Sequence, residues 1–379
     1  MQQNLVKTSY SKDDVIVLLK DLSADMKEMS TEEREKAIQS GVHYSEMLPE
    51  EKAPSAEYEA LYTKALEENK AEIAESIAKV AEIIVYNTTE LDDSMPILVS
   101  LARAGNPVGI LIKRYLKLKY GWDCPHYSVS IIRDKGIDVN AMEYIYQKEI
   151  EEAGNFVENI FFIDGWTGKG AIKTQLEEAV AELKAVEDRW EFLNDDLYVL
   201  ADPANITPYC GTHVDYLLPS ACLNSTVSGL TSRTILNKYV NVEAGDFHGA
   251  TYFEKFEAID KSNDFIDIIT AEFGKILDKT CYELNELDKS WNGMSIVNDI
   301  CEKMEVEDYK KVKPGIGETT RVLLRRVPWK VLINKDIPED DADIQHILVL
   351  CKEKNIPTEK WDLGNYKVCG IIKELSADA

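Results

Sequence analysis

Four short apolar runs, each ending in polar residues and followed by a helical stretch, constrain the fold of this chain more than any other feature. They are "PILVSLA" (96–102), "HYSVSII" (126–132), "NIFFID" (159–164) and "DLYVLAD" (196–202). Each is apolar nearly throughout, as a strand buried on both faces must be. Strands alternating with helices predict an α/β fold with a doubly wound parallel sheet, whose ligands bind beyond the carboxyl ends of the strands. The segments "RAGNP", "RDKGID" and "DGWTGKG" sit at those ends and should converge in space.

The third of these turns carries the most chemistry. "FFIDGWTGKGA" (161–171) passes from an apolar strand through three glycines into "IKTQLEEAVAELKAV". Glycines let the backbone approach a ligand closely, and the first N–H groups of the new helix favour an anion such as phosphate. A plain tight connection would use the same residues. Two nucleotide-binding patterns fail outright. A Walker loop needs Gly at the position of Ile163 and Ser or Thr at that of Gly170, and the turn holds no G-x-G-x-x-G.

Residues 1–90 read as a helical extension, with Ser11 capping "KDDVIVLLKDL", Ser55 capping "AEYEALYTKALEENKAEIAESIAKVAEIIVY", and the loop "GVHYSEMLPEEKAPS" between them. Residues 91–290 hold the alternating strands, then an irregular stretch (203–260) and a helix from about Asp264 to Leu287. A small αβ unit occupies 295–379. The net charge of −25 opposes broad binding of nucleic acid or anionic membrane by the whole molecule, yet Lys310 to Lys330 carries seven basic residues against the single acid Glu318. No run is apolar for long enough to span a bilayer, and the N-terminus lacks a signal-peptide core. Seven scattered cysteines without a C-x-x-C fit free thiols in a reducing cytoplasm.

Cys210, His213 and Asp215 invite a thiol-hydrolase reading, in which a thiolate needs a base and the base an orienting acid. Groups so close in sequence rarely form such a triad, so a loop shaping a pocket is the alternative. A metal site from Cys124, His126, Cys210 and His213 lacks structural-zinc spacing. His43 and His248 sit beside aromatics and read as packed side chains. Ser228, Ser232 and Arg233 in "SGLTSRT" suit an anion or a helix cap.

With "SLARAG", "IIRDKGID" and "DGWTGKG" at three successive strand ends, the chain resembles type I phosphoribosyltransferases. More narrowly it is similar to the phosphoribosyltransferase-like proteins of tellurite-resistance and stress-response operons, through "ARAG-P-G", "DGWTGKGAI", "HYSEMLP" and "LNSTVSGLTSRT". Proteins of that kind sometimes carry a cysteine-protease label. The resemblance implies transfer from phosphoribosyl pyrophosphate (PRPP) or a related phosphoribosyl donor to an unidentified acceptor, with Mg²⁺. Arg103, Ala104 and Gly105 would face pyrophosphate, Arg133 and Lys135 would close over it, Asp164 would hold ribose or metal, and Trp166, Thr167, Gly168, Lys169 and Gly170 the 5′-phosphate. One acid in place of two, and Gly170 in place of a hydroxyl, depart from that pattern. They leave a non-catalytic nucleotide-sensing regulator as one alternative and a cysteine hydrolase as another. "KPGIGETTRVLLRR" resembles the turn of the pelota/L7Ae-type RNA-binding domain, implying RNA contacts from Gly315, Gly317, Glu318, Thr320, Arg321 and Arg325. The oligomeric state is left open, a homodimer included.

Overall fold

The computed structural model describes residues 4–88, 94–278 and 284–373. Six strands, β1 (Ile16–Val17), β2 (Ile97–Leu101), β3 (His126–Val129), β4 (Ile160–Trp166), β5 (Leu197–Ala201) and β6 (Cys210–Thr212), form one wholly parallel sheet in the order β1-β3-β2-β4-β5-β6. Alternate residues of each central strand feed two cores. Leu98, Phe161, Ile163, Tyr198 and Leu200 pack with α1 (Ala56–Asn87), α2 (Gly105–Tyr120) and α4 (Ser262–Phe273). Ile97, Val99, Ile160, Phe162, Leu197 and Val199 pack on the other side with α3 (Ala171–Val186). This two-sided burial is why the runs are apolar throughout.

The N-terminal segment departs from the helical expectation. Around Ser11 there is no helix; Ile16–Val17 adds a strand to the sheet, and Lys20–Asp21 pairs with Gly249–Ala250. Val15, Val17 and Leu19 enter one core and Leu18 the other, an alternation that a helix cannot satisfy. β-Branched residues without a polar face settle as a sheet edge. The helix expected from Asp264 to Leu287 runs instead from Ser262 to Phe273.

Strand order reverses between β2 and β4, so their following loops meet at a crevice. The approach is close: a Cβ on Gly105 would lie 2.3 Å from the Ile163 carbonyl oxygen. The small C-terminal unit is a mixed sheet of β7 (Val312–Pro314), β8 (Pro328–Asn334), β9 (Thr358–Trp361) and β10 (Val368–Ile372) in the order β7-β10-β8-β9, with helices α5 (Gly293–Met304), α6 (Ile316–Arg325) and α7 (Gln345–Glu353).

This unit is seated on the carboxyl-end loops of the large sheet. Asp215 accepts from the Ile316 N–H at 3.0 Å and the Lys367 N–H at 2.9 Å, fixing the start of α6. The Lys169 ammonium donates to the Tyr309 and Val312 carbonyls at 2.7 and 3.0 Å, and the Tyr366 hydroxyl donates to the Gly168 carbonyl at 2.5 Å. Removing an acceptor from a buried N–H costs about 1–3 kcal/mol. Asp215→Ala should therefore loosen the seat. Limited proteolysis is expected to cut faster within 284–292, and urea unfolding to split into two transitions while the wild type shows one.

Candidate active site

The parallel register of β5 and β6 brings two strand ends together. Val199 lies beside Cys210 and Ala201 beside Thr212, so Asp202, just past β5, meets His213, just past β6. The Cys210 sulfur is 3.8 Å from Nδ1 and 3.7 Å from Nε2 of His213. His213 Nδ1 is 2.8 Å from the Asp202 carbonyl oxygen and 3.3 Å from its carboxylate Oδ2. That carboxylate is anchored on its far side: Oδ2 accepts from the Ile206 and Thr207 N–H groups at 2.7 and 3.0 Å, and Oδ1 accepts from the Thr167 hydroxyl. The Asn285 side-chain amide donates to the Cys210 carbonyl at 2.7 Å and reaches its sulfur at 3.0 Å. Asp202, Cys210 and His213 thus present ligand-type atoms within 4.8 Å of one another.

Burial opposes charge on His213, but its hydrogen bonds with Asp202 and then Cys210 outweigh it and push the imidazole up to about 10. Elsewhere burial makes thiols harder to ionise: Cys124 and Cys369 are pushed up to about 12 and Cys351 to about 11. Cys210 itself is fully buried, and α1 presses on the next residue, where a Gly211 Cβ would lie 2.4 Å from that of Ser76.

Asp215 is not the acid of this cluster, because its carboxylate is committed to Ile316 and Lys367 of the small unit. Cys124 and His126 lie outside the Asp202–Cys210–His213 group; His126 bonds Ser100 at 2.7 Å and the Asp14 carbonyl at 2.7 Å. Asp202 was visible at the end of "DLYVLAD" but had no motif around it, and Asn285 had no signal at all. His43 contacts Ser45 at 2.8 Å, and His248 contacts Ser130 at 2.9 Å, both as packed, bonded side chains.

The residues at the other strand ends are placed as follows. Ala104, Arg133, Asp164, Trp166, Thr167, Gly168, Lys169 and Gly170 do converge, around a cavity of about 250 Å³ that Lys313 and Glu318 of the small unit help to line. Lys135 is exposed and does not line it. Gly105 begins α2, and Arg103 turns away to the Thr231 carbonyl at 2.5 Å and Glu51 at 3.9 Å. Asp164 and Glu318 are the two carboxylates of this lining, which also holds Arg133, Lys169, Lys173 and Lys313. In the C-terminal turn, Gly315 and Thr320 are buried, and Gly317 stands against Ala221. Glu318 pairs with Arg321 at 2.8 Å, and Arg321 also reaches Asn224 at 3.4 Å. The Arg325 side chain lies outside the described residues.

Fold and site together define a two-unit α/β protein with a buried cysteine–histidine–aspartate cluster. A family model described as "Tellurite-like stress resistance cysteine protease StiP" matches residues 8–270, and one described as "PELOTA RNA binding domain" matches 291–374. The "Cysteine protease StiP" of Acinetobacter baylyi is 32% identical over 289 residues, covering 74% of this chain and 72% of that protein. The chain belongs to the StiP family and ends in a Pelota-type domain. No solved structure matches it.

These matches overturn the phosphoribosyltransferase expectation, with its PRPP donor and glycosyltransferase chemistry. The glycine turn also gives Lys169 and the Gly168 carbonyl to the small unit.

Burial pushes the Asp164 carboxyl up to about 7 against one hydrogen bond from the Gly165 N–H. Its folded pKa thus exceeds the ordinary aspartate value of about 3.9, so folding takes up a proton between the two. Stability from this group is full below about pH 4 and declines as pH rises to about 7. Asp164→Asn should be stabilising relative to wild type above pH 7, by up to roughly 4 kcal/mol, with the difference vanishing in acid. Urea denaturation across pH 4–8 measures this directly.

Proposed function

We propose that this protein is a cysteine-dependent peptidase with Cys210 as nucleophile. The observation that carries this reading is the contact of the Cys210 sulfur with His213, itself held by Asp202. The relatives' cysteine-protease name supports it. The sulfur, as thiolate, attacks the scissile carbonyl, and protonated His213 gives its proton to the leaving amine. Water, losing a proton to His213, then attacks the thioester and releases the acid and the sulfur. Asp202 orients the imidazole and favours its charged form, while the Asn285 amide, displaced from the sulfur by the incoming peptide, donates to the oxyanion. Because Cys210 is buried, the Asn285 side chain must move off the sulfur for a peptide to enter.

Chloroacetamide labelling followed by mass spectrometry tests the nucleophile. Cys210 should label first, and His213→Ala should slow that reaction at least about tenfold, within the range of general-base contributions. Preferred labelling of another cysteine would sink the assignment. Hydrolysis of a fluorogenic peptide library should vanish in Cys210→Ala. In the wild type the rate should hold through neutral pH and fall as pH rises through about 10, where His213 loses the proton that the leaving amine needs.

The Pelota-type match and the basic run support a second, separate role in RNA binding. Gly315 and Gly317 stand against Asp215 and Ala221 of the large unit, and the Thr320 hydroxyl bonds the Ile316 carbonyl and His346 within the small one, so the flanking Lys310 and Lys311 are the cations we assign to RNA. Replacing both with Gln should weaken binding of the full chain to structured RNA. The slope of log affinity against log salt should fall by about one for every phosphate that these lysines neutralise. An unchanged slope would place the interface elsewhere.

A further inference from the structure

A second cavity, of about 360 Å³, opens where the two units face each other. The large unit contributes Arg34, Arg103 and Arg233, and the small unit Lys313, Arg321 and Arg326. Against these six cations stand three carboxylates, Glu50, Glu51 and Glu318, leaving an excess of three positive charges. Two of the carboxylates are already engaged. Glu318 pairs with Arg321 at 2.8 Å, and Glu51 lies 3.9 Å from Arg103 and accepts from the Ser225 N–H at 3.3 Å. Arg233 shows the consequence: its burial, followed by the nearby charges of Arg34 and Arg103, pushes the guanidinium down to about 10. Lys313 is likewise pushed down by burial, with Arg321 and Arg326 adding to it and Glu318 opposing. Like charges held together in a partly desolvated space repel strongly unless an anion joins them.

Guanidinium forks match the oxygens of a phosphate, and Leu48, Pro49, Phe253 and Ile372 give the same cavity an apolar wall. The volume is that of a small-molecule site and exceeds what a lone ion would need. We infer that this inter-unit cavity binds the phosphate end of a nucleotide, either a free nucleoside diphosphate or the 5′-phosphorylated terminus of an RNA chain. The lining gathers three stretches that peptide hydrolysis does not use: "HYSEMLPEE", "SGLTSRT" and "GIGETTRVLLRR". Since both units contribute cations, occupancy holds them together, so the site ties the Pelota-type domain to the unit that carries Cys210. It does not depend on hydrolysis, because Cys210 is not part of the lining.

Calorimetry on the full chain at low salt tests this with ADP, a 5′-phosphorylated RNA hexamer and its 5′-hydroxyl twin. Binding of ADP, or preference for the phosphorylated hexamer over its twin, is expected, and the pattern names the source. Arg233→Gln and Arg326→Gln should each weaken that binding about tenfold or more, as loss of a charge-assisted hydrogen bond does. Without ligand, Arg233→Gln should melt no lower than wild type, since it relieves repulsion, so weaker binding cannot be put down to unfolding. Cys210→Ala should bind as wild type does, which separates this site from the peptidase reading. Failure of ADP to bind, with the two hexamers binding alike, would overturn the inference, as would both arginine variants binding as tightly as wild type.

Discussion

Every oxygen of Asp202 is spoken for, and the large unit is organised around that fact. Its carboxylate, without solvent exposure, takes the Thr167 hydroxyl from the glycine turn after β4 and two N–H groups from the loop that leads into β6. Its carbonyl and one carboxylate oxygen face His213. Three successive loops are thereby fixed by one side chain whose burial would be costly without such partners. The placement of His213 beside Cys210 follows from that anchoring more than from any contact between the two.

Much of this architecture could be read from the chain, because two-sided burial writes itself as unbroken apolar strands. The segment "VIVLL" misled for the same reason in reverse: five apolar residues are too few to show a period, and Ser11 with two acids mimics a helix start. The acid partner of His213 was missed because sequence favours near neighbours such as Asp215, whereas sheet register made Asp202 the spatial one. Nor could a glycine turn reveal whether it receives phosphate or protein. The conformational freedom needed is the same, and the Lys169 and Gly168 bonds to the small unit have no signature in the sequence.

The two units share more than a linker. Asp215 supplies the acceptor that would otherwise come from a capping residue at the start of α6, where Gly315 has no side chain to offer. A helix of the small unit is therefore completed by a residue of the large one. The Ile316 N–H, in the turn expected to meet RNA, is committed to this seat.

The lengths of the outermost strands have a bearing on how the molecule behaves in a crowded solution. β1 has two residues and β6 three, so each rim of the parallel sheet offers few backbone groups to a strand from another chain. A sheet bordered in this way resists templated growth, even though its central strands are hydrophobic enough to drive it. The shorter-than-usual rim strand β6 is also the one that carries the Cys210 sulfur.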